Sequence, residues 1–453
     1  MQQDMTAGSP VKAILMFTVP IFVGNVFQQF YSMVDTIIVG KFVGTTALAA
    51  VGSVGTIMFL IIGFMLGLTA GFTVLTAQRF GAGDMKGMRK TVGSAATLSV
   101  IMTVIMTTIS MLGMKPLLKF MNTPSDIFKD AYGYIMIICG GIFAQVLYNI
   151  LASILRALGN SKTPLYFLIL AAVLNIVLDL VFIIVFHMGV AGAAWATVTA
   201  QGISGLLCLA YIIKCVPELR LCRDDWKFRW ELSRKEIEVG IPMGLQFSIT
   251  AIGSMVMQSA NNGLGSIYVS GFTAGMRIKQ FAMCPFDALA NGVSVFCSQN
   301  LGAGKIKRIR KGLWQGVGVG FIYGLLIGLV LIFAGRSLSM LFISADQTAV
   351  LDASAKYLRC LGFFYWSLGP LSVFRMSAQG MGFSGRAIFS GVTEMIARTF
   401  VSFAFVGTYG FTAICFADQT AWVSATLYIT PVCLMCLRQV TREHERQQAK
   451  IAD

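Results

Sequence analysis

Apolar runs long enough to cross a hydrocarbon layer of about 30 Å recur along the whole chain, parted by short polar or Gly/Pro-marked breaks. The pattern predicts twelve helices, beginning near Val11, Ala47, Val92, Ile127, Leu165, Val190, Ile237, Gly265, Leu313, Asp352, Ala387 and Phe411. Each runs for about 20 to 30 residues. The breaks alternate in character. Basic residues crowd Arg79 to Lys90, Arg156 with Lys162, Lys214 to Lys235, Lys305 to Lys311, Arg386, and a tail from Arg438 to Lys450. The breaks between them, such as Lys41 to Thr45, His187 to Gly189 and Asn261 to Gly265, are short and carry little charge. Basic connections stay on the cytoplasmic side, so both termini are expected there and the sparse turns outside.

Composition agrees with an all-α membrane protein: 56% of residues are hydrophobic, 12% are charged, and the mean hydropathy is +0.75. The formal charge of +15 sits mainly in the inward breaks, where orientation and anionic headgroups account for it. Nucleic acid is therefore not an expected partner, whereas membrane lipid is. The start, Met1 to Pro10, is polar and lacks the charged, apolar, small-residue order of a cleaved leader, so the first apolar run is expected to remain as a helix. Ten cysteines stand singly in apolar helices and support neither a disulfide framework nor a zinc site. His187 lies at an outward turn and His444 in the tail, both placed for solvation.

Two stretches match at a fixed offset: residues 76–90, TAQRFGAGDMKGMRK, and residues 297–311, CSQNLGAGKIKRIRK. Pro20 pairs in the same way with Pro242, Gly44 with Gly265, Gly159 with Gly382, and Gly189 with Gly410. The chain is thus a duplicated six-helix unit. The expected domains are an N-terminal lobe 1–213, a linker 214–236, a C-terminal lobe 237–437 and a basic tail 438–453. Parallel repeats of this kind are an architecture of secondary transporters, with the substrate between the halves near the midplane. The Gly-Ala-Gly segments are not phosphate cradles, because a strand before them and Gly-Lys-Ser/Thr within them are missing; they read as helix ends followed by inward charge.

Acids inside membrane spans are costly and mark candidate sites. Asp35 lies in the first helix and Asp179 in the fifth, where Asn175 is one turn away on the same face. Asp179 and Thr197 are each nine residues from Met188, the centre of a tight turn, which places both roughly 13 Å below it. Asn175, Asp179 and Thr197 can then share a pocket, completed by Asp35 if the first helix packs nearby. Two carboxylates, an amide and a hydroxyl suit Na⁺ or a proton; the competing reading is that they only join helices by hydrogen bonds. No other metal is implied. Pro20, fifteen residues before Asp35, removes a backbone hydrogen bond and offers a hinge.

The second copy does not repeat this set. Its alignment places Arg398 opposite Asn175 and Asp418 opposite Thr197, at similar distances from the turn near Tyr409, which predicts a buried ion pair. Arg398 would hold the place an exchangeable cation takes in the first half. Arg277, Lys279 and Asp287 in the eighth helix, Arg375 in the tenth and Glu394 in the eleventh either line a substrate cavity or pair among themselves.

With these residues in view, the sequence resembles the MATE family, the multidrug and toxic compound extrusion transporters, over nearly its whole length. The likeness rests on twelve helices in two bundles, on Pro20 through Gln28, Tyr31 and Asp35 to Gly40 and Gly44, on both Gln-x-x-Gly-Ala-Gly segments, and on Asn175, Asp179 and Thr197. It implies an antiporter of alternating access in a bacterial inner membrane, acting as a monomer. Such a protein exchanges H⁺ or Na⁺, with no other cofactor, for amphipathic, often cationic, compounds in a V-shaped cavity between lobes. It looks closest to the DinF-like and MepA-like branch, whose cation site carries over to Asp35, Asn175, Asp179 and Thr197, with Gln28 and Tyr31 facing the cavity. The NorM-type branch also uses acids on helices 7 and 10; Thr250 and the apolar or small residues near Leu368 stand there instead. A flippase for a lipid-linked oligosaccharide would share the fold, and Arg277, Lys279 and Arg375 suit its anionic cargo. No HExxH, no GxSxG and no His/Asp pair in a span supports an enzyme.

Overall fold

The alternation of apolar runs and breaks becomes twelve helices in the computed structural model, which describes residues 3–121 and 123–452. Met1, Gln2 and Asp453 at the ends of the expected domains lie outside the described residues, as does the side chain of Lys450 in the expected tail. The first six helices are α1 (Pro10–Ile38), α2 (Thr45–Phe72, continued by Val74–Gly81), α3 (Met85–Phe120), α4 (Ser125–Gly140 and Ile142–Ala157), α5 (Lys162–Leu180) and α6 (Val190–Cys215). The second six are α7 (Trp230–Asn262), α8 (Ser266–Gly302), α9 (Ile306–Ser339), α10 (Thr348–Phe364 and Leu368–Gly380), α11 (Ser384–Ala404) and α12 (Phe411–Ala452). Among the described residues, ten of these are long and apolar enough to cross a membrane unbroken.

The other two are broken at corresponding places in the two copies. α4 bends by 44° at Gly141, where a Cβ would collide with the Val198 side chain of α6. α10 is interrupted by a 3-10 turn at Tyr365–Ser367, just before Pro370, whose missing N–H and ring disfavour an unbroken helix. α9 packs on this break through glycines at four-residue spacing. Cβ atoms would lie 3.0 Å from Gly369 Cα at Gly320, 2.7 Å from Trp366 Cα at Gly324 and 2.5 Å from the Gly362 carbonyl at Gly328. Without side chains along this ridge the two backbones meet, which is how helices gain dispersion contact where apolar burial offers no net drive.

The duplication is written in the backbone as well as the sequence. Among the described residues nine glycines adopt positive φ, and eight of them form four pairs: Gly44 (118°) with Gly265 (103°), Gly83 (71°) with Gly304 (67°), Gly159 (81°) with Gly382 (93°), and Gly189 (60°) with Gly410 (54°). Each pair ends or starts the same helix in its own copy. An L-residue in this region is strained, so glycine at these turns fixes where the first, second, fourth and fifth helices of each copy stop.

The chain forms two compact units whose limits differ from the expected lobes. Unit one holds Gln3 and Val23–Gly244, and unit two holds Asp4–Phe22 and the chain from Leu245 onward. The expected linker, 214–236, is therefore not the divide. Cys215 ends α6, Trp230 starts α7, and the first half of α7 belongs to unit one. The reason is packing: a Cβ on Gly240 would lie 2.6 Å from the Phe72 ring, and one on Gly71 would meet Gly240 Cα at 2.5 Å. Reciprocally, the start of α1 packs in unit two, where a Cβ on Gly292 would meet Thr18 Oγ1 at 2.5 Å. In both copies the change of unit falls two residues after the helix proline, Pro20 or Pro242. The tail from Arg438 continues α12 without a break.

Candidate functional site

In unit one, α1 and α5 bring two carboxyl groups together. Asp179 is completely buried and Asn175, one turn earlier, almost so, while Asp35 is half-buried. The Asp35 and Asp179 carboxyls lie within hydrogen-bonding reach of each other. Neither oxygen of Asp179, nor Oδ1 of Asp35, nor Oδ1 of Asn175 receives a hydrogen bond from the protein. Asn175 directs its amide to Thr197 Oγ1 at 3.3 Å, so α6 orients the amide and leaves its carbonyl facing the cluster. No lysine or arginine among the described residues pairs with either acid. The result is a set of buried oxygens without donors, which burial makes costly until a proton or a cation is shared between them.

Tyr31 on α1 and Tyr134 on α4 lie within electrostatic reach of both carboxylates, and Gln28 lies near the Tyr31 hydroxyl. Both acids stand just before widened, π-helical turns, Val39–Val43 and Val181–Val185. These turns close with Gly44 N–H to Val39 O at 3.2 Å and Phe186 N–H to Val181 O at 3.0 Å, and they pack on each other. Single π-turns collect at functional sites because they displace the helix beyond them. Among the described residues the second copy has none.

Unit two meets the same cost differently. Asp418 on α12, completely buried, accepts from Lys279 Nζ at 2.6 Å, Arg398 Nε at 2.8 Å and the Tyr357 hydroxyl at 2.8 Å. Arg398 also approaches Glu394 at 3.9 Å, and Glu394 pairs with Arg375, whose Nε donates to Ser390 Oγ at 2.8 Å. Three cations against two anions leave one net positive charge in a paired network drawn from α8, α10, α11 and α12, in which Arg398 Nη1 alone of the guanidinium's nitrogens is buried without a partner. Arg277 and Asp287 take no part: both are exposed, and neither forms an ion pair among the described residues.

The structure thus brings Asp35, Asn175, Asp179 and Thr197 to one place, and Arg398 to Asp418. Pro20 is buried within an uninterrupted α1, and Gln28 is exposed. Sequence reasoning missed Tyr134 and Tyr357, whose only signal was a hydroxyl inside an apolar run. Among the described residues no three histidines, cysteines or acids converge.

The sequence profile of the MatE family matches residues 20–181 and 242–403, one match in each copy. A probable multidrug resistance protein, YpnP of Bacillus subtilis, is 31% identical over 91% of this chain and 89% of its own. An FAD transporter of Shewanella oneidensis is 25% identical over 80% of each. A solved structure described as the outward-facing conformation of a multidrug resistance MATE family transporter superposes with a TM-score of 0.90, covering 97% of this chain and 98% of its own at 22% identity.

Proposed function

Since the chain belongs to the MatE family of multi-span membrane transporters, we propose that it is an antiporter that exports amphipathic, often cationic, compounds against an inward flow of H⁺ or Na⁺. What carries the reading is the contrast between the halves: a donorless pair of acids in unit one and acids each paired with a cation in unit two. A cation bound between Asp35 and Asp179 ties α1 to α5; its release leaves two carboxylates repelling each other across that helix pair. Pro20 gives α1 a place to bend in response, because the carbonyl one turn earlier has no N–H partner. A ligand moves an equilibrium only through different affinity for its two states, and here the difference is the presence or absence of that tie.

The basic connections and both termini face the cytoplasm in this reading, in a bacterial inner membrane, and the protein works as a monomer. Of the three cations that suit the flippase alternative's anionic cargo, Lys279 and Arg375 are each engaged by an acid and Arg277 is without an ion pair among the described residues, which leaves that alternative the weaker one. The test is efflux from proteoliposomes under separately imposed pH and Na⁺ gradients, with Asp35→Asn and Asp179→Asn beside the parent. One gradient should drive transport in the parent, and both substitutions should remove that dependence. Full gradient-driven transport in both variants would refute the coupling site.

A further inference from the structure

Where α11 begins beside the last turns of α12, a cleft of about 520 Å³ is ringed by Arg386, Arg438, Arg442 and Arg446. Three of the four lie beyond residue 403, the end of the second family match. Among the described residues none of the four forms an ion pair. The one carboxylate in the cleft, Glu443, accepts instead from Gln439 Nε2 at 2.9 Å. Arg386 is held in place from behind: its guanidinium stacks 5.1 Å from the Phe383 ring and reaches Cys436 Sγ at 3.7 Å. Four guanidinium groups around one cleft repel one another unless an anion lies among them, and their planar forks match phosphate oxygens.

Arg438, Arg442 and Arg446 follow each other at four-residue spacing, on one face of α12. The same face continues towards the apolar part of the helix through Met435, Pro431 and Leu427, all exposed. A soluble anion would make no use of this stripe. A phospholipid would use both parts, because its acyl chain lies along the apolar positions while its phosphate sits among the arginines at the membrane–water boundary. The net charge of the ring, four cations against one anion, selects a headgroup with an uncompensated negative charge over a zwitterionic one.

We propose that this cleft binds the headgroup of one anionic phospholipid, with an acyl chain on the Leu427, Pro431 and Met435 stripe. The inference is independent of the substrate and of the coupling ion. It is tested by native mass spectrometry of the full-length protein in detergent, titrated with phosphatidylglycerol or phosphatidylcholine. The parent should retain one phosphatidylglycerol in preference to phosphatidylcholine, and Arg442→Gln and Arg446→Gln should each weaken that retention roughly fivefold. Lys307→Gln and Arg310→Gln, each of which removes the same single charge from the start of α9, should leave it unchanged. Undiminished retention in the cleft variants, an equal loss in the α9 variants, or displacement by inorganic phosphate would each overturn the proposal.

Discussion

Two aspartates at comparable depth in their own units carry opposite energetic signs. Asp418 balances two cations, so Asp418→Asn strands them and should lower the stability of the purified protein by about 3–5 kcal/mol, seen as an early thermal transition. Asp179 balances nothing in the protein, so Asp179→Asn should raise stability by roughly 1 kcal/mol while removing coupling, the trade expected when a site is built for function. A fall in both variants would mean that Asp179 also serves as scaffold. Replacing Lys279, Arg398 and Asp418 together by Met, Met and Leu should recover most of what Asp418→Asn loses and leave the cation dependence of transport unchanged. A new cation requirement in Arg398→Met, where Asp418 keeps its carboxylate, would favour Arg398 as a built-in substitute for the exchangeable ion. Spacing alone made the Asn175, Asp179 and Thr197 group readable, since all three hang from one hairpin. Lys279, 139 positions before Asp418, could be read only as a charge in search of a partner, because packing between α8 and α12 decides which acid it meets.

Among the elements, the matched turns offer the sharpest check of the duplication. At Gly83 there is open space around a Cβ, so Gly83→Ala carries backbone strain alone, about 1–2 kcal/mol. At Gly304 the same strain is joined by a 3.0 Å approach to the His444 ring, so Gly304→Ala should cost more, and Gly304→Ala with His444→Ala should fall back to the Gly83 value. Equal losses in both single variants would show that the tail does not rest on this turn. In α1, Pro20→Ala restores a hydrogen-bond donor to an otherwise continuous helix. Stability should hold or rise, while turnover in the proteoliposome assay falls; an unchanged turnover would remove the hinge from the mechanism. The twelve helices were legible because hydropathy marks them, although those expected from Val92, Ile237 and Leu313 start seven residues earlier, at Met85, Trp230 and Ile306, in polar and basic turns that hydropathy passes over; the matched turns were legible because they favour glycine. The breaks in α4 and α10 were not, since each is only one to three residues long and close contacts, at Gly141 with Val198 and at Gly362 and Gly369 with α9, place them.

For the whole molecule, the sequence repeat locates the duplication but not the division into units. The pattern along the chain reads Lys214 to Lys235 as the linker between halves, whereas Gly71, Gly240 and Gly292 assign helix segments by how closely their neighbours approach. Side-chain absence carries no polarity, so no hydropathy pattern reports it. The reciprocal placement of the two leading segments bears on how such a protein could have arisen and how it can be taken apart. A chain cut at residue 222 gives one fragment that keeps residues 4–22, which unit two requires, and another that keeps residues 230–244, which unit one requires. Each fragment expressed alone should be degraded, and the two expressed together should assemble into a transporting complex. An ancestral single copy would have had to find its missing segment in a second molecule, as domain-swapped dimers do. Fusion of two such genes would make that partnership permanent and leave the halves free to differ, as their buried acids now do: unpaired in unit one, held by Lys279 and Arg398 in unit two.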